Sequence, residues 1–121
     1  MKEETKTKLG VLQSVGKITS EDLAYLNKVD NLLEDRLAGN ADFNDEMLLI
    51  HLAVALERAR KGEKVDALPD TIWAQVSGKP EYEEAAKLTG EILKMVPVNF
   101  SKQESRYIAM HVLNLTRSET K

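Results

Sequence analysis

The sequence predicts an all-α bundle of five or six helices, and three observations carry that prediction. Apolar residues recur at spacings of three and four along most of the chain, the period of one helix face. Residues suited to helix N-termini precede these runs, and Gly or Pro closes most of them. No alternating run, Asn-Gly or Asp-Gly turn, or cluster of Val, Ile and Thr argues for a strand. The 121 residues, 42% of them hydrophobic, fit one domain over 1–121 with its core at about 9–115. Short connections favour antiparallel helix pairs.

Taken in order, Leu9, Leu12 and Val15 mark a short first helix over Lys2 to Val15, ended by Gly16. Thr19 caps the second, with Asp22 adding charge that suits its first turn. Leu23, Leu26, Val29, Leu32, Leu33 and Leu37 form its apolar stripe, and Gly39 and Asn40 end it. The third runs from Phe43 to Lys61, with Asp42 and Asn44 as alternative caps and Gly62 as its stop. Met47, Leu48, Leu49, Ile50, Leu52, Val54 and Leu56 make it apolar most of the way round, which predicts burial on several sides. Pro69 starts a short helix through Ile72, Trp73 and Val76, stopped at Ser77 and Gly78. Pro80 opens the next, which Pro97 ends. Ser101 caps the last, with Glu104 completing a capping-box pattern. From Thr116 the tail is expected to fray.

Composition excludes several classes of function. There is no cysteine, so disulfides, zinc-thiolate sites and thiol chemistry are out. A net charge of −3 argues against direct nucleic-acid binding, which usually needs a basic face. The start, MKEETKTK, lacks the apolar segment of a signal peptide, and no run is long enough to span a membrane. A cytoplasmic protein that does not touch the membrane is expected. The six glycines are scattered as helix stops and build no phosphate loop.

The two histidines, His51 and His111, each lie inside an apolar helical run. Either they are satisfied core or interface residues, or they do chemistry. Bundle metal sites use Glu-x-x-His, but Leu48 and Ile108 stand three residues before the histidines. No metal and no cofactor is therefore expected, and a small His-centred metalloenzyme is the weakest of the alternatives. No Gly-x-Ser-x-Gly turn is present either. Arg58 lies two turns after His51, and Glu104 two turns before His111. If the two helices run antiparallel with the histidines level, Arg58 falls opposite Glu104. Arg58 and Glu104 also have plain structural roles, as a charge suited to a helix C-terminus and as a capping residue.

These residues resemble a known family. His51-Leu-Ala-Val-Ala-Leu-Glu-Arg58 is similar to the first histidine motif of the PTS regulation domain, the PRD. The stretch from Glu104 through Tyr107, Ile108 and Ala109 to His111 and Asn114 is similar to the second. Pro80-Glu81-Tyr82, followed by Ala85, looks like the segment between them, and the resemblance spans roughly Leu9 to Leu115. Ile50 stands where many members have Asp, and Lys79 where an aromatic is common.

The resemblance implies a five-helix bundle, commonly dimeric, in bacterial regulators of sugar uptake. It implies phosphorylation of His51 and His111 by the histidine-containing phosphocarrier protein or a sugar-specific EIIB component. Arg58 and Glu104 become a pair that supports the phosphate or the structure. The expectation is a stand-alone single PRD with no output domain, a homodimer that is not an enzyme and acts through protein contacts. The alternative is a non-phosphorylated dimerisation or adaptor module with structural histidines.

Overall fold

The structure, a computed structural model, describes residues 1–37 and 44–119, with side chains as far as 116. Among these residues it is a bundle of six helices without strands. They are α1 (Glu3–Ser14), α2 (Ser20–Arg36), α3 (Glu46–Arg60), α4 (Asp70–Ser77), α5 (Tyr82–Lys94) and α6 (Lys102–Glu119).

Local chemistry sets most of the ends. The Thr19 hydroxyl accepts from the Asp22 amide at 3.0 Å, and the Asp22 carboxylate accepts from the Thr19 amide at 2.9 Å. This full capping box opens α2. Asp22 also takes Arg60 from the end of α3, so the cap doubles as an interhelical tie. Gly16 and Gly62 close α1 and α3 at φ +80° and +71°, a left-handed conformation that favours glycine. Behind each, paired bonds satisfy the last carbonyls: Lys17 to Leu12 and Gly16 to Gln13, then Glu63 to Arg58 and Gly62 to Ala59. Both are Schellman motifs.

Four expectations need correction. Helix α3 begins at Glu46, not Phe43, because the Asn44 side chain accepts the Glu46 amide at 3.0 Å and turns the chain just before the helix. Helix α5 begins at Tyr82 after a turn closed by Tyr82 to Lys79, and stops at Lys94, before Pro97 constrains Val96. Gly10 and Gly90 lie inside α1 and α5 and stop nothing. Helix α6 continues to Glu119, since no Gly or Pro interrupts residues 102–119. Phe43, Asp42 and the stop at Gly39 and Asn40 lie outside the described residues.

Helix α3 is the spine, packed by α1, α2 and α6, while α5 lies along α6. Leu26, Val29 and Leu33 of α2, Leu49, Leu52 and Leu56 of α3, Ile92 of α5, and Ile108, Val112 and Leu113 of α6 are fully buried. Tyr25 joins them, its hydroxyl donating to the Ile92 carbonyl at 3.0 Å. Helix α3 is not enclosed all round: Met47 and Val54 are 73% and 41% exposed. The loop after α3 is held where the Leu68 amide donates to the Gln103 side chain at 3.1 Å. Arg106 lies over the Trp73 ring at 5.0 Å and Trp73 meets Tyr82 edge-on at 5.7 Å, fixing α4 against α5 and α6.

Asp30 of α2 and Asp45, just before α3, are both buried and act on one another electrostatically. The amino group of Met1 lies 2.9 Å from Asp30, and Glu34 lies 3.6 Å from the same group. Burial first, and then the neighbouring Asp30, pushes the Asp45 carboxyl up to about 8.

Two predictions follow from these contacts. Thr19→Ala removes one half of the α2 cap and should lower stability by about 1 kcal/mol, read by urea unfolding. Between the unfolded carboxylate range and about pH 8 the native chain holds a proton on Asp45 that the unfolded chain lacks. Stability from this group is therefore full at acid pH and is lost as pH rises through that window. Asp45→Asn, which keeps a donor toward Asp30, should flatten this slope when unfolding is followed from pH 4.5 to 8.5, within about one pH unit at either end.

Candidate functional site

The site lies where α3 and α6 run antiparallel. Glu104 is its centre. Its backbone amide donates to the Ser101 hydroxyl at 3.1 Å, which caps α6, but the carboxylate does not complete the expected capping box. It turns into the α3–α6 seam, where it is 5% exposed. There Oε1 lies 3.0 Å from His51 Nε2 and Oε2 accepts from Arg58 Nη1 at 2.9 Å. Burial works against the charge on Glu104, but the bonds and charges of His51 and Arg58 outweigh it and hold the carboxyl below its usual range. The carboxylate is thus ionised at neutral pH and acts only as an acceptor.

The rings of His51 and His111 stand 4.6 Å apart, tilted by 39°, with Tyr107 6.3 Å from His51. Burial first, and then the neighbouring His51, lowers the pKa of His111. Each histidine opens onto its own cleft. His51 shares one of about 320 Å³ with Arg58, Lys64, Val65, Asp66 and Tyr107. His111 lines another of about 250 Å³ with Asn44, Met47, Leu48, Asn114 and Leu115.

All four residues singled out in the sequence meet here. The strict register does not hold in detail, because Glu104 bridges Arg58 and His51, and His111 shares its cleft with Met47, one turn before His51. Helical side chains lean toward the N-terminus of their helix. The long Arg58 therefore reaches back up α3 and lets a single carboxylate serve two levels. Lys64 was not anticipated. It sits in a loop without periodicity, which the bond from Leu68 to Gln103 of α6 helps to hold beside His51. No cluster of three or more metal-ligating His, Cys, Asp or Glu occurs among the described residues, and none of their helices is long and apolar enough to cross a membrane.

Comparison with known proteins gives this arrangement its context. The PRD domain family matches residues 23–115. The chain belongs to that family. The match runs from α2 to α6, while α1, which packs on α2 and α3, precedes the matched residues. The probable licABCH operon regulator of Bacillus subtilis (strain 168) is 30% identical over 122 residues. The alignment takes in 95% of this chain but 18% of that regulator, so the PRD described here corresponds to a small part of it. No solved structure matches the chain.

Removing Arg58 would leave Glu104 buried with His51 as its one remaining partner in the seam. Arg58→Ala should cost about 2 kcal/mol at neutral pH. The stability that Glu104 contributes is present above the unfolded carboxylate range and lost as pH falls through its lowered native value. Without Arg58 that native value rises, so the acid limb of the stability curve should begin at higher pH. Urea unfolding at a series of pH values measures both effects.

Proposed function

We propose that this PRD is a regulatory phosphoryl acceptor. Its histidines, His51, His111 or both, receive a phosphoryl group from the histidine-containing phosphocarrier protein or from an EIIB component. The modified state is then read by protein contacts that control carbohydrate-uptake genes. In this proposal the protein works in the cytoplasm as a homodimer and turns over no substrate. Membership of the PRD family and likeness to a protein named an operon regulator support it.

The observation that carries the proposal is the His51–His111 pair itself, with rings 4.6 Å apart in a seam that is partly open to solvent. An imidazole reached from a cleft meets a partner's phosphoryl group, whereas one sealed in the core does not. The lowered pKa of His111 keeps it unprotonated, the form that is nucleophilic. Arg58 and Lys64 line the cleft of His51 and supply positive charge near an incoming phosphoryl group. The output follows from Met47 and Val54, exposed on the same face of α3 as His51. An apolar edge of this kind favours association with another chain. A phosphoryl group adds about −1.5 to −2 charges at pH 7 and opposes burial of its neighbourhood, so it biases such an association.

The alternative, a dimerisation or adaptor module with structural histidines, draws on the same exposed edge and on the bond from His51 to Glu104.

Transfer of acid-labile phosphate separates the two. The protein is incubated with phosphoenolpyruvate, enzyme I and the phosphocarrier protein, with and without EIIB components, and its intact mass is read at neutral pH. A phosphate-sized gain that His51→Ala or His111→Ala abolishes, with folding retained, is the expected result. No gain with any donor, under conditions that load a control PRD, would leave the adaptor role standing in its place.

A further inference from the structure

The two ring nitrogens of His51 are not equivalent. Nε2 lies 3.0 Å from Oε1 of Glu104, and the second oxygen of that carboxylate accepts from Arg58 at 2.9 Å. A carboxylate has no proton to give, so the hydrogen in the His51–Glu104 bond belongs to Nε2. In the neutral ring the lone pair is then on Nδ1. The same logic sets the tautomer wherever a carboxylate holds one side of a working imidazole.

We propose that His51 accepts the phosphoryl group through Nδ1, with Glu104 as the positioning residue that keeps the proton on Nε2. This rests on the phosphoryl-acceptor role proposed above and adds to it the residue, the atom and the isomer.

The competing geometry meets two obstacles. Attack by Nε2 requires that nitrogen to lose its proton and its bond to Glu104. It also places a phosphoryl group against a carboxylate whose side chain is 5% exposed. Like charges that close, with little water between them, repel strongly. Attack by Nδ1 leaves the His51–Glu104–Arg58 chain intact. Displacement of Glu104 would also strand a buried charge at the capped start of α6.

The step balances without a proton shuttle. The Nδ1 lone pair attacks the phosphorus of a phosphohistidine on the donor protein, protonated on its other ring nitrogen. An N–P bond forms at His51 as the donor's N–P bond breaks. The bonding pair returns to the donor ring, which leaves as neutral imidazole. The positive charge passes to the phosphorylated ring of His51, where Nε2–H faces ionised Glu104 and is stabilised by it. Arg58 and Lys64 stand in the adjoining cleft, where their charges oppose that of the phosphoryl oxygens.

Nuclear magnetic resonance of the full ¹⁵N-labelled chain tests this at two stages. Before phosphorylation, long-range ¹H–¹⁵N spectra of neutral His51 should show Nε2 protonated and Nδ1 bare; a protonated Nδ1 would overturn the proposal. The chain is then loaded from phosphoenolpyruvate, enzyme I and the phosphocarrier protein, in wild type and in His111→Ala, and the isomer is read from ³¹P and ¹⁵N shifts. The Nδ1 isomer at His51 is expected in both. Glu104→Gln, whose amide both donates and accepts, should give a mixture of isomers, a change that a purely structural Glu104 would not produce. The Nε2 isomer at His51 would overturn the proposal, as would a pure Nδ1 isomer retained in Glu104→Gln. Phosphate found on His111 alone would also overturn it while leaving the acceptor role in place. Absence of phosphate from the wild type, with a control PRD loaded, would remove both.

Discussion

The buried carboxylate of Glu104 is the constraint on which the α3–α6 seam depends. A charge removed from water must be met by opposite charge and hydrogen-bond donors, or the helices that bury it separate. Here Arg58 and His51 meet it from α3, and Ser101 holds its backbone at the start of α6. The apolar cluster that holds Leu52, Leu56, Ile108 and Val112 selects a register only weakly, because the hydrophobic effect is non-directional. A carboxylate with two partners on another helix is not indifferent. It selects one register among several that would bury similar apolar area. Through that register the rings of His51 and His111 come within 4.6 Å.

Helix α3 answers to two demands. Its inner faces carry Leu49, Leu52 and Leu56, fully buried, and supply much of the cohesion of the bundle. Its remaining edge carries Met47, His51, Val54 and Arg58, spaced so that they share one face. A helix serving stability alone would place charge along that edge, as α2 does with Glu21, Lys28 and Asp35. Apolar residues beside a titratable ring weaken solubility without strengthening the core. They are understandable where the edge is covered for part of the time by another chain.

What the sequence made legible follows from the range of each interaction. Thr19 with Asp22, Ser101 with Glu104, and the stops at Gly16 and Gly62 act within one turn, so their spacing alone located the starts of α2 and α6 and the ends of α1 and α3. The start of α3 was misplaced because Phe43 looks apolar enough to belong, whereas Asn44 diverts the chain by bonding to Glu46. The histidines, Arg58 and Glu104 were visible as a group through the likeness to a family and the equal spacing on two helices. The bridging by Glu104 was not visible, because it depends on how far a long arginine leans along its own helix. Lys64 and the Asp30–Asp45 pair left no trace in the pattern. The lysine lies in an aperiodic loop and the two aspartates are far apart in sequence, so only the finished packing assigns them neighbours.

The charge at the seam gives the proposed role its direction. Glu104 and Arg58 offset one another, and His111, its pKa lowered by burial, adds no charge at neutral pH. The seam can thus lie against another surface at little electrostatic cost. A phosphoryl group of about −1.5 to −2 charges ends that neutrality. Lys64 shares the cleft with Asp66 and Arg58 is already engaged by Glu104, so in the proposed state excess negative charge would be left beside Met47 and Val54. Covering that edge then requires desolvation of an anion for which this chain holds no full complement of cations. Uncovering it, or covering it with a basic surface, becomes the favoured arrangement. With the two rings 4.6 Å apart, a phosphoryl group on His51 would, in the proposed role, favour protonation of His111 and so couple the two histidines.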